Sequence, residues 1–240
     1  MAKAKKQQPR VQYVQDQSQY VPEPRAKGNM SPLAPKTEAQ YYFMESLRKN
    51  TLTLVHGSAG TGKTFVALTH AADLLRDKKI DKLILTRPLV GVDDEDSKIG
   101  ALPGDLDEKL AMWAMPMMDI LNERLGKGFV DYLRKADRIR IVPMAYLRGT
   151  TFDNCFIHCT EAQNTSVNQV KMLLTRVGLN TSVVLDGDPA QSDLRRANGL
   201  MDAIDRLEDL PGVGVVMFTR EDVVRSGFCQ DVLYRYEVAA

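Results

Sequence analysis

Hydrophobic residues fall in two rhythms along this chain. Short continuous apolar runs occur at Leu52–Val55, Lys82–Thr86, Ile139–Val142, Cys155–Cys159, Ser182–Leu185 and Val213–Phe218. Each is too short for a helix and reads as a strand buried on both faces. Between them run segments with apolar residues at helical spacing. One starts near Thr37, a capping residue, in PKTEAQYYFMESLRKN. Others are Lys63–Arg76 and Asp105–Leu125, where Pro116 is expected to kink or divide the helix. In a further one, Val167, Val170, Leu173, Leu174 and Val177 share a face, and Gly178 stands as the expected C-cap. Strands alternating with helices predict an α/β fold, a mostly parallel sheet covered by helices. Ligands of such sheets bind at the carboxyl ends of the strands.

Residues 1–36 break this pattern. They are rich in Gln, Pro, Lys and Arg and carry little to bury, so a disordered tail is expected, with order beginning at residue 37. This tail has seven Lys/Arg (Lys3, Lys5, Lys6, Arg10, Arg25, Lys27, Lys36) and two acids (Asp16, Glu23), a net of +5. The 240-residue chain totals +1, which leaves −4 for the body. A basic tail can dock on phosphates, although most such tails are simply solvated. Three cysteines, Cys155, Cys159 and Cys229, form no framework and fit a reducing compartment. No apolar run approaches the roughly 20 residues of a membrane span, and the N-terminus lacks a signal-peptide core. These features point to the cytoplasm.

The chemistry begins after the first strand. Gly57-Ser58-Ala59-Gly60-Thr61-Gly62-Lys63-Thr64 fits G-x-x-x-x-G-K-[ST], and Phe65 follows it. The glycines let successive backbone N–H groups turn inward onto phosphate oxygens. The helix from Lys63 aims its positive end at the same point. Lys63 is expected on the β- and γ-phosphates, and the Thr64 hydroxyl on Mg²⁺.

With this loop, ILTRP (84–88), LPGDLDEKL (102–110), YLRGTTF (146–152), EAQNT (161–165), KMLLTRVG (171–178), GDPAQSDL (187–194) and EDVVR (221–225) follow in one order. That series resembles the PhoH-like family of ATPases over about residues 35–237. The resemblance implies a RecA-like P-loop core related to superfamily 1 helicases, spanning residues 37–240. It also implies ring-shaped homo-oligomers, with six chains per ring and ATP at subunit contacts, and RNA or single-stranded DNA as the polymer partner. By position, Gln40 matches a glutamine that reads the adenine edge, and Glu161 a carboxylate that orients or deprotonates attacking water. Gln163 and Gln191 match polar sensors near the γ-phosphate. Arg225 is the candidate arginine finger, a residue often supplied by a neighbouring subunit.

One position departs from the family. Where members read Asp-Glu-Ala-Gln, this chain reads Thr160-Glu161-Ala162-Gln163. The missing carboxylate would help to hold Mg²⁺. A second departure puts Asp186 where members carry Thr, at the end of a later strand. In a RecA-like sheet these strands are neighbours about 5 Å apart. Asp186 can therefore replace the lost carboxylate; alternatively it is a solvated loop acid, and Mg²⁺ rests on Thr64 and ATP.

Other signals are weaker. Cys155 and Cys159 share a strand face about 13 Å apart, and His158 faces the other way. Zn–S bonds are about 2.3 Å, so these three read as core residues. The acidic run 90–98 reads as a solvated loop. Arg87 can touch phosphate or a polymer backbone. Met112, Trp113, Met115, Met117 and Met118 read as core, with subunit contact as the alternative. The expected activity is Mg²⁺-dependent hydrolysis of ATP to ADP and phosphate. A ring that senses ATP without turnover, and a small-molecule kinase, are the competing classes.

Overall fold

The computed structural model describes residues 23–88, 106–194, 198–228 and 235. The chain folds as a six-stranded parallel sheet: β1 (Leu52–Gly57), β2 (Lys82–Thr86), β3 (Ile139–Ile141), β4 (Cys155–Cys159), β5 (Ser182–Gly187) and β6 (Val213–Phe218). Their order is β3-β2-β4-β5-β1-β6, so β5 stands between the P-loop strand β1 and β4. This is a RecA-like P-loop arrangement. The register pairs Val55 with Asp186 and Cys159 with Leu185. One step beyond the last pair, Thr160 and Asp186 are adjacent.

The four inner strands, β2, β4, β5 and β1, are buried on both sides, which is why the sequence shows continuous apolar runs there rather than alternation. Val55, Leu83, Leu85, Phe156 and Val184 point into one core. There they meet α1 (Glu38–Lys49), α2 (Lys63–Arg76), α3 (Leu106–Leu125) and α4 (Lys127–Lys135). Leu54, Ile84, Ile157 and Leu185 point into the other, against α5 (Val167–Leu174) and α6 (Gly199–Leu207). Helix starts are set by side chains. Thr37 accepts from the Gln40 N–H, Ser166 and Gln169 form a reciprocal capping box, and Asn198 caps α6.

Four expectations change. Pro116 does not divide α3, which runs unbroken to Leu125. The carbonyl it leaves without a helical donor belongs to Met112, 62% exposed, where water can take the bond. Helix α5 ends at Leu174, short of Val177. Gly178 is not its cap; its N–H instead donates to the Phe152 carbonyl beside a bridge between Phe152 and Val177. Residues 23–36 carry no helix or strand, yet from Glu23 onward they are tied to the body. Glu23 pairs with Lys78 and Arg138. The Lys27 and Asn29 N–H groups donate to Leu125 and Glu123 at the end of α3, and Arg124 holds the Asn29 and Ser31 carbonyls. Order therefore starts before residue 37 because backbone bonds and buried Arg124 replace the missing apolar area. The five α3 side chains also divide: Met117 is core, Trp113 and Met118 pack beside it, and Met112 and Met115 are exposed. The acidic run 90–98, residues 102–105 and Cys229 lie outside the described residues.

Candidate functional site

The loop between β1 and α2 turns on three glycines with left-handed φ: Gly57 at 129°, Gly60 at 79° and Gly62 at 85°. A β-carbon at Gly57 would collide with the Phe218 backbone. Gly62 caps α2 in the αL conformation without a side-chain bond, leaving the first helical N–H groups to face outward. Inside the turn, the Lys63 ammonium donates to the Gly57 and Ser58 carbonyls, both at 2.7 Å. Thr61 is buried and its hydroxyl donates to Ser58 at 3.0 Å. Burial pulls the Lys63 pKa below its ordinary value, against the opposing pull of Asp186, Asp188 and Glu161.

A cleft of about 360 Å³ opens over this loop, a size typical of small-molecule sites. Ala59, Gly60, Gly62, Lys63, Thr64 and Phe65 form one wall. Glu161, Gln163, Asp186, Gln191 and Arg225 come to it from the ends of β4, β5 and β6. Gly57, Ser58 and Thr61, the rest of the turn, are not among the residues that line it.

Asp186 is 2% exposed. Its Oδ2 accepts from the Thr64 hydroxyl at 3.1 Å and lies 3.1 Å from His158 Nε2. Burial alone would raise its pKa. The charge and hydrogen bond of His158, the charge of Lys63 and the Thr160 hydroxyl outweigh that and hold it below the usual carboxylate range. Asp186 is thus an engaged group of the cleft floor and not a solvated loop acid. Thr64 and Asp186 offer hard oxygen donors of the type Mg²⁺ takes from proteins, one carboxylate with the rest supplied by substrate phosphates. Among the described residues no three His, Cys, Asp or Glu cluster as a metal site.

Glu161 sits at φ 56°, ψ 33°, a left-handed conformation unusual for a non-glycine residue. Such strain persists where surrounding structure fixes it. Here Gln163 does so. Its amide nitrogen donates to Glu161 Oε2 at 2.8 Å, and its amide oxygen accepts the Asp188 N–H at 3.1 Å. Gln191 donates to Asp188 at 2.8 Å. The two polar residues read as sensors thereby form a brace from Glu161 to the turn after β5.

Two residues sit differently from expectation. Gln40, 4% exposed, spends its amide on backbone: the nitrogen donates to the Thr61 carbonyl at 2.9 Å, and the oxygen accepts the Lys36 N–H at 2.8 Å. It clamps the P-loop and does not line the cleft. Arg225 needs no neighbouring subunit to reach the site. The Val224 N–H donates to the Gly60 carbonyl at 3.1 Å, and this lays the Arg225 side chain across Gly60 of its own chain. Oligomer formation therefore gains no support from that residue. Arg87 stacks its guanidinium over Trp113, 5.6 Å from the ring centroid, and stands outside the cleft.

His158 is the functional neighbour that the sequence reading placed in the core without a role. It is buried, as expected, but bonded to Asp186. Alternation along β4 puts it on the same face as Thr160, and that signal was available. Cys155 and Cys159 are free and buried. Burial raises both thiols, and for Cys159 the Asp186 charge adds to it, so neither is a ready nucleophile. No helix among the described residues is long and apolar enough to cross a membrane.

The chain has relatives among known proteins. The chain is 40% identical over 216 residues to Protein PhoH of Escherichia coli (strain K12), covering 88% of this chain and 60% of that protein. It is 36% identical over 204 residues to a PhoH-like protein of Bacillus subtilis (strain 168), covering 84% and 63%. The chain thus spans about three fifths of the length of these curated relatives. Among solved structures, the large terminase from a thermophilic bacteriophage superposes with a TM-score of 0.47 at 11% identity, over 84% of this chain and 50% of that one. The model of the PhoH-like protein family matches residues 32–237, and the chain belongs to that family.

Proposed function

We propose that this chain binds ATP at the P-loop cleft and hydrolyses it to ADP and phosphate with Mg²⁺. The observation that carries the reading is the Thr64–Asp186 pair directly behind the loop, with Glu161 fixed across the same cleft by Gln163. Loop N–H groups and the α2 terminus hold the phosphates. Lys63 neutralises charge on the outer phosphates. Thr64 and Asp186 hold the cation, which when bound offsets phosphate charge. Glu161 orients a water and takes its proton as it attacks. Arg225 stabilises the charge that develops on the transferred group, and Gln163 and Gln191 keep Glu161 and the β5 turn in register. Such catalysis is mostly positioning and electrostatics. The family resemblance supports a homohexameric ring acting on RNA or single-stranded DNA, and three cysteines without framework spacing support a reducing, cytoplasmic setting.

Thr160 supports a second reading, in which ATP is held as a signal and turnover is negligible. Phosphate release by wild type and Glu161→Gln, measured with Mg²⁺ and with or without single-stranded RNA or DNA, separates the two. Turnover that disappears in Glu161→Gln while ATP binding persists supports hydrolysis. Wild type that binds ATP and releases no phosphate overturns it.

A further inference from the structure

Four groups act on the Asp186 carboxylate. Its Oδ2 meets the Thr64 hydroxyl from α2 and His158 Nε2 from β4, both at 3.1 Å. The Lys63 charge and the Thr160 hydroxyl are the other two. Lys63, Thr64 and Thr160 line the P-loop cleft, and His158 does not. His158 is 0% exposed and comes to the carboxylate from the buried side.

Packing alone does not explain an imidazole at this position. The register sets Leu85 of β2 and Val184 of β5 beside it, and both are core residues. Paired residues of parallel strands share a face, so the ring is flanked by aliphatic side chains. Asp186 lies two residues past Val184 on that same face, and the ring leans towards the carboxyl end of the sheet to reach it. Among the described residues His158 Nδ1 is buried with no hydrogen-bond partner. An aliphatic side chain at 158 would carry no such penalty. Nε2 makes the ring's one hydrogen bond. Asp186, held below the usual carboxylate range, is an acceptor only, so Nε2 carries the proton and donates. Two donors from different elements thus meet on one oxygen. Rotation of an aspartate carboxylate about its last side-chain bond is soft, and one donor leaves it free to turn. The second donor, from β4, fixes it.

We infer that His158 is a positioning residue for the divalent cation: by holding Oδ2 it keeps the Asp186 carboxylate and the Thr64 hydroxyl in the arrangement that receives Mg²⁺, while touching neither cation nor nucleotide. This rests on the Mg²⁺ and nucleotide reading above. Residues that orient a metal's ligands in this way set its affinity, and their loss typically weakens binding by about 10- to 100-fold.

The test is calorimetric binding of the non-hydrolysable β,γ-imido analogue of ATP, in Mg²⁺ and in EDTA. The proteins are wild type, His158→Leu, His158→Gln, Asp186→Asn and the His158→Leu/Asp186→Asn double variant. Wild type is expected to bind more tightly in Mg²⁺ than in EDTA. His158→Leu should lose about tenfold or more in Mg²⁺ and nothing in EDTA, a split that a general packing defect would not give. His158→Gln, which keeps a donor, should stay within about threefold of wild type. In the Asp186→Asn background His158→Leu should cost nothing further, because it acts through that carboxylate. The inference is overturned if His158→Leu binds like wild type in Mg²⁺, or if its affinity falls by one common factor in Mg²⁺ and EDTA. It is equally overturned if His158→Gln loses as much as His158→Leu, or if His158→Leu weakens Asp186→Asn as much as it weakens wild type. Should His158→Leu not fold, His158→Asn, whose amide is too short to reach Oδ2, carries the same comparisons. A loss in Asp186→Asn with none in His158→Leu removes only the positioning role. Wild-type binding by Asp186→Asn removes the cation role of Asp186 as well, and no binding by wild type removes the nucleotide reading.

Discussion

The hydroxyl of Thr64, in the first turn of α2, donates to Oδ2 of Asp186 at the end of β5 across 3.1 Å. The parallel register puts Thr160 beside that carboxylate. One hydroxyl and one carboxylate thus occupy two adjacent strand ends. An exchange of the pair should preserve function, and a change at either alone should not. Asp186→Thr is expected to lower Mg²⁺-dependent phosphate release by about 10²-fold or more. Thr160→Asp alone sets two like charges side by side and should also lower it. The double variant should return to within about tenfold of wild type. A double variant as inactive as Asp186→Thr would show that the carboxylate works only from β5.

Arg225 crosses Gly60 of its own chain, so its contribution should be made in cis. Arg225→Ala is expected to reduce turnover by about 10³-fold or more while ATP still binds. Mixing Arg225→Ala chains with Glu161→Gln chains should restore no activity, since each cleft would contain one lesion. Recovery on mixing would mean that the working arginine crosses a subunit boundary.

Gln40 joins two backbone groups, the Thr61 carbonyl and the Lys36 N–H. Gln40→Ala leaves both with no side-chain partner, at a cost of about 1–3 kcal/mol. That corresponds to a fall of roughly 3–10 °C in Tm, readable by thermal melting. Because the defect lies in the loop, affinities for ATP and for tripolyphosphate should fall together. A loss confined to ATP would mean that Gln40 touches the base.

The sheet was legible because its inner strands are buried on both faces, which concentrates apolar residues into short runs. The bounds of α2, β2, β4 and β6 coincide with those runs. The P-loop was legible because its chemistry is local, eight residues in one turn. What escaped depends on long-range partners. Arg124 holds Asn29 from 95 positions away, His158 meets Asp186 across 28, and Gln40 meets Thr61 across 21. Helix α6 escaped for a different reason: its buried face is only Gly199, Leu200, Ala203 and Ile204, too brief for periodicity to register. Arg225 could be nominated from its motif, but its cis placement follows from one backbone bond between Val224 and Gly60, which no side-chain pattern encodes.

His70 gives the fold a pH dependence that can be isolated. It lies on α2 with its ring 6.0 Å from that of Phe156. Burial, then the charge of Arg48, push its pKa down to about 4. In the unfolded chain it titrates near its ordinary value of about 6.5. Above that value both states are neutral and the group changes nothing. As pH falls from about 6.5 towards 4, the unfolded state takes the proton first and the folded state loses stability, by a total on the order of 3 kcal/mol. His70→Gln removes this titration, while His56 and the carboxylates remain common to both proteins. The offset in Tm between the two should be flat above pH 7. Between pH 6.5 and 4.5 wild type should lose several degrees relative to the variant. An offset that does not change with pH would mean that His70 is protonated as easily in the folded protein as in the unfolded chain.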